Sequence, residues 1–171
     1  MARPSTDVYM MGMAMMAASR ATCSRRAVGC ILTNSLNHIV ATGYNGVPRG
    51  MVHCGIELCP GVNAPSGTNL DGCMAIHAEQ NALLQCVNTR DIVTCYVTAQ
   101  PCLTCMKLLL NTSCQSIVYL QPYPHEAAAR LWSNAGRTMG MLSTEQVIEL
   151  KMLFQMMSER SEYALTLSRG G

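Results

Sequence analysis

The sequence predicts an α/β fold of three layers, in which helices cover both faces of a mixed five-stranded sheet. Two short β-branched segments, 28–33 and 38–42, are separated by the turn-like residues 34–37, and this arrangement predicts a β-hairpin. Helix and strand signals then alternate along the chain, which is typical of parallel strands joined by helical crossovers. The first strand pair is therefore expected to be antiparallel and the later pairs parallel.

Local signals give each element its expected position. Residues 5–7 can cap a first helix that is rich in Met and Ala. Pro101 favours the start of a helix, and Gly136 favours the end of one. Ser143 and Gln146 resemble a capping box at the start of the last helix. The predicted helices span about 8–18, 74–88, 102–111, 126–135 and 143–167, and the remaining strands span 92–99, 116–120 and 139–142.

The composition is that of one globular domain covering residues 1–171. Apolar residues make up 49% of the chain and charged residues 13%, which is enough apolar material for a packed core. We expect an irregular, cysteine-bearing insertion at about 46–73 and a C-terminal helix at about 143–167. An irregular segment of this length within a compact domain usually has a function.

Charge and hydropathy argue against two classes of partner. The net charge is only +2, although ten arginines, whose side chains suit phosphate groups, are present. A nucleic-acid-binding surface usually carries more positive charge, so we expect no nucleic-acid partner. No segment is long enough to span a membrane, and segment 8–18 is predicted to be a buried helix and not a targeting signal. A cytoplasmic location is therefore expected.

A three-ligand set for zinc is the strongest functional signal. His77 is followed two residues later by Glu79, and Pro101 is followed by Cys102 and Cys105. One imidazole and two thiolates leave one position on tetrahedral zinc open for a water, and Glu79 is placed to move the protons of that water as base and then as acid. This spacing is typical of zinc-dependent nucleobase deaminases. We expect His77 in the first turn of one helix and both cysteines at the start of another, where free N–H groups favour thiolate.

The alternative is a closed structural site, in which a further cysteine supplies the fourth zinc ligand. The chain would then be a non-enzymatic, zinc-stapled binding module with no need for Glu79. A lone Cys-x-x-Cys would leave that alternative strong, but the combined spacing of His, Glu, Pro and two Cys favours the catalytic site.

The chain resembles the deoxycytidylate deaminases of the cytidine deaminase superfamily between about residues 20 and 136. The resemblance implies a cytidine-deaminase-like fold and a hydrolase that converts dCMP to dUMP and ammonia, which feeds dTTP synthesis. The segments that carry it are IHAEQNAL at 76–83, PCLTC at 101–105, GYNG at 43–46, CSR at 23–25, VHC at 52–54 and ELC at 57–59.

The resemblance also implies substrate contacts. Asn45 is expected to hold the sugar or base, and Tyr123 is expected near the nucleotide phosphate. Arg26, with Arg25, is expected to supply charge for that phosphate or for an effector. For Asn45 the alternative is a turn residue with left-handed backbone, and for each arginine the alternative is a solvated surface position.

Allosteric control is a further implication of the resemblance. In this family dCTP activates and dTTP inhibits, with Mg²⁺, usually in a homohexamer. The loop of Gly43, Tyr44, Asn45 and Gly46 is implicated in the response to these effectors. The Met-rich first and last helices would then bury faces between subunits; the alternative is that these faces belong to the core of one chain.

A second, structural zinc site is predicted from cysteines in and beside the insertion. Four thiolates would close the site and order the irregular segment, and His53 is a substitute for one of them. The alternative is free thiols packed as small apolar residues. The candidate ligands are Cys23, Cys54, Cys59 and Cys73, whereas Cys30, Cys86, Cys95 and Cys114 are predicted to lie in the core.

Two other substrates stay open as alternatives. Deamination of adenosine in transfer RNA would need a basic face, which a net charge of +2 does not supply. Deamination of free cytidine or deoxycytidine leaves the long cysteine-bearing insertion without an explanation. A cellular and a viral origin are both open, and a viral protein would act in the host cytoplasm.

Overall fold

The computed structural model describes residues 3–54, 73–123 and 126–167. These residues form five helices and five strands, in an order that begins with a helix and a hairpin and then alternates. The helices are α1 (Thr6–Ala18), α2 (Ala78–Gln85), α3 (Leu103–Leu110), α4 (Glu126–Asn134) and α5 (Thr144–Leu167), and the strands are β1 (Gly29–Thr33), β2 (Ile39–Tyr44), β3 (Thr94–Ala99), β4 (Ser116–Gln121) and β5 (Thr138–Met141).

The five strands form one mixed sheet in the order β2-β1-β3-β4-β5. Strand β1 is antiparallel to both β2 and β3, whereas β3, β4 and β5 are mutually parallel. The predicted mixed sheet with an antiparallel first hairpin is confirmed. Because β3 and β4 point the same way, the residues that follow both strands emerge at one edge of the sheet.

Two apolar cores cover the two faces of the sheet, which makes the three layers that the sequence predicts. Neighbouring residues of β1 face opposite sides, as the pleat requires: Cys30 and Leu32 pack with α2, α3 and α4, whereas Ile31 packs with α1 and α5. Trp132 of α4 is 1% exposed and is the largest fully buried side chain of the first core. The layer of α2 and α3 carries the predicted zinc ligands.

Helix α2 differs from its prediction at both ends. The chain before it is extended, since Ile76 and Gly46 pair through two backbone hydrogen bonds of 2.9 and 3.1 Å. This long-range bridge prevents the helix from starting near residue 74, and His77 becomes the N-cap and not part of the first turn. Leu84 and Val87 are 76% and 101% exposed, because the buried face of α2 is formed by Ala78, Glu79 and Ala82 and the helix ends at Gln85.

Capping at the other helices follows the sequence signals. The Oγ of Ser5 accepts a hydrogen bond from the backbone N–H of Val8 at 3.3 Å, which makes it the N-cap of α1. Ser143 and Gln146 form a reciprocal capping box before α5, with distances of 2.9 and 3.2 Å. Gly136, two residues after α4, has φ of +72°, as expected for a glycine that ends a helix. Among the described residues, no helix combines the length and apolar character needed to cross a bilayer.

Two glycines allow helices to approach the sheet closely. A Cβ on Gly43 of β2 would overlap the backbone oxygen of Ala78 and the backbone nitrogen of Ala82, both in α2. A Cβ on Gly29 of β1 would overlap the backbone of α1 on the opposite face. Backbone atoms of a packed helix cannot move aside cheaply, so these positions set the spacing between the layers.

The close approach at Gly43 predicts a selective loss of stability on substitution. We expect Gly43→Ala to lower the free energy of unfolding by about 1–3 kcal/mol, as overpacking commonly does. Urea denaturation followed by circular dichroism measures the effect. The matched control is Gly140→Ala in β5, where a Cβ meets no atom within 4 Å and the strand should lose no stability. Equal midpoints for the two variants would contradict this account of the layer spacing.

Candidate metal centre

His77, Cys102 and Cys105 lie close together, and the two cysteines follow the end of β3 in sequence. The Nδ1 atom of His77 lies 3.5 Å from the Sγ of Cys102 and 3.4 Å from the Sγ of Cys105. All three potential ligand atoms lie within 4.8 Å of one another, and in the described part of the chain they form the one such group of three or more His, Cys, Asp or Glu residues. Both cysteines are buried, and His77 is half-buried.

Two helix N-termini deliver these ligands. His77 is the N-cap of α2, Cys102 is the N-cap of α3, and Cys105 follows in the first turn of α3. The prediction placed Cys102 inside the helix, but its backbone is extended, with φ −71° and ψ 170°. Free N–H groups at a helix N-terminus carry partial positive charge, so both helix ends favour negative charge at the cluster.

Hydrogen bonds link the three candidate ligand side chains and shift their pKa values. A hydrogen bond from Cys105, together with one from His77, lowers the pKa of Cys102 to about 4. The bond to Cys102 raises the pKa of Cys105, and burial adds to that increase. The bond to Cys102 also raises the pKa of His77, against the opposing effect of burial. Zinc binds thiolate and neutral imidazole, so a bound zinc ion would replace these shared protons.

The group fits a zinc ion in both geometry and chemistry. Zinc–nitrogen and zinc–sulfur bonds of about 2.0 and 2.3 Å at tetrahedral angles place the two ligand atoms about 3.5 Å apart. The nitrogen–sulfur distances here, 3.5 and 3.4 Å, are close to that value. One nitrogen and two sulfurs are ligands that zinc prefers, and a set of three protein ligands is typical of catalytic and not of closed structural sites.

Glu79 lies beside this group in the first turn of α2. Its side chain is buried, with 4% of the residue exposed. Burial raises the pKa of the Glu79 carboxyl, and the positive charge of His77 opposes that rise; the carboxyl also shares a hydrogen bond with Cys105. A buried carboxyl with a raised pKa exchanges protons more readily near neutral pH, which suits a general acid–base group.

Asn45 is buried in the loop that faces α2, and its side chain bonds to the protein backbone. Its Oδ1 accepts a hydrogen bond from the N–H of Val28 at 2.8 Å, and its Nδ2 donates to the carbonyl of Arg26 at 2.7 Å. The alternative interpretation, a turn residue with left-handed backbone, is wrong: in the described residues only Asn37 among non-glycine residues has a positive φ. Asn45 therefore holds the segment that carries Arg26.

Arg26 and Tyr123 lie on the side of the site where β4 ends. The Nη2 of Arg26 donates to the Oε1 of Gln121 at 2.7 Å. Burial raises the pKa of Tyr123, the charge of Cys102 adds to this, and the charges of Arg25 and Arg26 oppose it. These side chains are thus close enough to influence one another electrostatically, and they bring two positive charges near the end of β4.

Two residues that support the site received no role from the sequence. The Oε1 of Gln80 accepts a hydrogen bond from the backbone N–H of His77 at 2.8 Å, which fixes the start of α2. The Nδ2 of Asn81 donates to the carbonyl of Tyr44 at 2.7 Å, which joins α2 to the end of β2. The spacing of Gln80 from His77 is that of a capping box, but His is not a usual N-cap, so the signal is weak.

The remaining cysteines divide into two sets. Cys30, Cys95 and Cys114 are fully buried, as predicted, whereas Cys86 is only half-buried, because α2 ends before it. Of the four cysteines assigned to a second zinc site, Cys59 lies outside the described residues, and the other three, Cys23, Cys54 and Cys73, are half-buried.

Comparison with known proteins agrees with this site. Residues 4–121 match the family described as the cytidine and deoxycytidylate deaminase zinc-binding region. The chain belongs to this family. That range includes the zinc-ligand candidates and Glu79, so the cluster at the ends of α2 and α3 lies in the zinc-binding region that defines the family.

Several relatives carry the name deoxycytidylate deaminase. The protein from Saccharomyces cerevisiae is 38% identical over 154 residues, which are 88% of this chain and 49% of that protein. The protein from Schizosaccharomyces pombe is 42% identical over 125 residues, 71% of this chain and 38% of that protein. The chain thus spans half or less of the length of these two relatives. A relative from Mycobacterium phage D29 is 37% identical over 127 residues, 70% of this chain and 97% of that protein.

Solved structures share the fold. The dCMP deaminase of cyanophage S-TIM5, solved in complex with dCMP and dUMP, superimposes with a TM-score of 0.65 at 23% identity. The superposition covers 83% of this chain and 100% of the cyanophage protein. The fold is therefore the cytidine-deaminase-like fold that the resemblance implied.

Proposed function

We propose that this protein is a zinc-dependent hydrolase that converts dCMP to dUMP and ammonia and so feeds dTTP synthesis. The observation that carries the proposal is the His77, Cys102 and Cys105 group, which fits zinc and has the buried carboxyl of Glu79 beside it. Three relatives that are 37–42% identical and are named deoxycytidylate deaminase support the choice of substrate.

In the proposed reaction, Glu79 moves two protons. Bound zinc, held by the imidazole and the two thiolates, supplies a Lewis acid that makes water a nucleophile near neutral pH. The Glu79 carboxylate takes a proton from the water that attacks the ring carbon bearing the amine, and gives it to the adjacent ring nitrogen. It then carries the second proton of that water to the departing amine, which leaves as ammonia. The sum is cytosine plus water giving uracil plus ammonia.

The phosphate of dCMP is proposed to bind at the end of β4. Arg26 brings positive charge there, Arg25 adds to it, and the phenol of Tyr123 lies within electrostatic reach of Cys102. Guanidinium groups bind phosphate oxygens well, whereas a free nucleoside has no phosphate to interact with this positive charge. This is the reason for preferring a nucleoside monophosphate to free cytidine or deoxycytidine.

The GYNG loop is proposed to contact ligands as well. Asn45 keeps one acceptor lone pair and one amide hydrogen beyond its two backbone bonds, so it can also hold the sugar or base. We further propose that Gly43, Tyr44, Asn45 and Gly46 take part in allosteric activation by dCTP and inhibition by dTTP, with Mg²⁺. The protein is proposed to be a homohexamer. Its proposed location is the cytoplasm of a cell or of an infected host. These regulatory and cellular proposals rest on the family resemblance.

We also propose a single deaminase domain over residues 1–171, with its insertion at 46–73 ordered by a second, structural zinc ion. Cys23, Cys54, Cys59 and Cys73 are the proposed ligands, with His53 as a substitute. Four thiolates make a closed structural site, which binds zinc without a position for water.

Zinc content distinguishes the two proposed sites. We expect about two zinc ions per folded chain, because one site would be catalytic and one structural. Cys105→Ser should lose one ion together with activity, and Cys73→Ser should lose the other. Cys86→Ser, which changes a thiol outside both sites, is the matched control and should keep two. Elemental analysis of purified protein decides, and a wild-type content of one ion would overturn the structural site.

Substrate choice is tested by ammonia release from dCMP, deoxycytidine, cytidine and a transfer-RNA anticodon stem. We expect turnover of dCMP, with a kcat/KM at least about 100-fold above that of deoxycytidine, because loss of the phosphate would remove its attraction to the positive charge proposed to bind it. Addition of dCTP should activate and dTTP should inhibit. Preference for a nucleoside or for the RNA would replace the proposed substrate, and no turnover of any of them would favour a binding module.

The role of Glu79 is tested by Glu79→Gln, which keeps the shape of the side chain but removes its ability to carry a proton. We expect kcat for dCMP to fall by about 10²–10⁴-fold while the zinc content stays unchanged. The control is Glu126→Gln at the exposed start of α4. If the Glu79→Gln protein keeps both its zinc and its turnover, the acid–base role is wrong.

A further inference from the structure

Arg137 caps the C-terminal end of α3, the helix whose N-terminal end carries Cys102 and Cys105. Its Nη1 donates to the carbonyl of Leu109 at 3.1 Å, and its Nη2 donates to the carbonyls of Leu110 and Thr112 at 2.9 and 3.2 Å. The first two carbonyls belong to the last residues of α3, and Thr112 lies just beyond its end. One side chain, 25 to 28 residues away in sequence, thus binds three backbone oxygens at this terminus.

The guanidinium is itself held in place from the other side. It lies over the ring of Trp132 in α4, with its central carbon 5.2 Å from the ring centroid. The Trp132 ring is fixed in turn, because its Nε1–H donates to the carbonyl of Thr138 at 2.7 Å and the residue is almost fully buried. Arg137 therefore joins α3, α4 and the start of β5 through one planar group.

Helix α3 needs such support. It has eight residues, a length at which an isolated helix is marginal. Among its last carbonyls, those of Leu108 and Leu109 also accept hydrogen bonds from Asn111 and Thr112, and Arg137 in turn holds the carbonyl of Thr112. A positive charge at the C-terminus also complements the helix dipole. The buried face formed by Cys105, Met106 and Leu109 holds the helix against the sheet, but it does not bond to those carbonyls.

The opposite end of α3 carries Cys102 and Cys105. Eight residues rising 1.5 Å each make a rod about 12 Å long, so a tilt of about 5° at one end moves the other by about 1 Å. Metal–ligand distances tolerate only about 0.2 Å. A shift of the C-terminal end of α3 would therefore also move both sulfurs at its N-terminal end.

We propose that Arg137 is a positioning residue for the metal centre: by holding the end of α3 it sets where the two sulfurs stand relative to His77. The inference rests on the proposed zinc site. It assigns Arg137 no contact with substrate and no part in proton transfer. Its effect should therefore appear first in metal affinity and ligand geometry, and only through these in turnover.

The test compares Arg137→Ala, Arg137→Lys and the control Arg130→Ala, which removes an exposed arginine of α4 whose ion pair is with Glu126. Zinc affinity is measured by chelator competition on folded protein, and the thiolate-to-cobalt absorption bands of the cobalt-substituted protein report ligand geometry. We expect Arg137→Ala to weaken zinc binding about 10–100-fold and to alter the cobalt bands, as loss of a residue that orients metal ligands usually does.

The lysine variant separates positioning from mere stability. Lysine keeps the charge but cannot reproduce the planar fork, so it should recover part of the zinc affinity. Excess zinc should restore much of the lost kcat in the alanine variant, with KM for dCMP unchanged. If the alanine variant does not fold, the lysine variant decides by the same two measurements.

The proposal is overturned if the Arg137 variants lose thermal stability but bind zinc and cobalt as the wild type does. It is also overturned if Arg130→Ala weakens zinc binding equally. Because metal affinity is measured without substrate, a wrong choice of substrate in the proposed function would leave this test unaffected. Failure of the wild type to bind zinc would instead remove the proposed function itself.

Discussion

The whole site depends on two helix N-termini meeting at one point. The imidazole nitrogen at the N-cap of α2 lies within about 3.5 Å of each of two sulfurs at the start of α3, although His77 and Cys102 are 25 residues apart in sequence. Each helix end is held by a different device. The start of α2 is set by the bridge between Gly46 and Ile76 and by Gln80, whereas α3 begins directly after the buried strand β3. The packing of the helices against the sheet thus determines where the candidate zinc ligands lie.

The mixed sheet explains why other candidate residues gather at the same place. Cys102 follows the end of β3 and Tyr123 follows the end of β4, and these two strands are parallel neighbours. Ligands of open α/β sheets usually bind outside the carboxyl ends of the strands, where the following loops converge. Arg26 reaches this edge because it precedes β1, which is antiparallel to β3 and therefore begins where β3 ends. Because β1 alone runs opposite to the other four strands, Arg26 before it lies at the same edge as the candidate metal ligands after β3.

The sequence predicted the fold and the zinc ligands because both have local signals: a turn-separated hairpin, alternating helices and strands, and a cysteine pair beside a proline. It did not predict the start of α2, since the bridge from Gly46 to Ile76 spans 30 residues and overrides the local helix signal. The alternative for Asn45, a turn residue with left-handed backbone, is wrong, and the bonds from its side chain to the distant backbone of Arg26 and Val28 have no local sequence signal. No sequence pattern indicated a role for Arg137, because its side chain donates hydrogen bonds to backbone carbonyls, which are present at every residue.

Electrostatics would couple a zinc ion bound at the cluster to Glu79, the proposed acid–base group. Two thiolates and the Glu79 carboxylate would place three negative charges in a buried space, and protons shared among the ligand atoms reduce that charge: the pKa of Cys105 and of His77 is raised, and that of Glu79 is raised by burial. A divalent cation neutralises the same charge while leaving both sulfurs deprotonated, so its binding must release protons. Positive charge beside Glu79 then lowers the pKa that burial raises. With these two opposing effects the carboxyl could both accept and return a proton, as the proposed role of Glu79 as base and then acid requires.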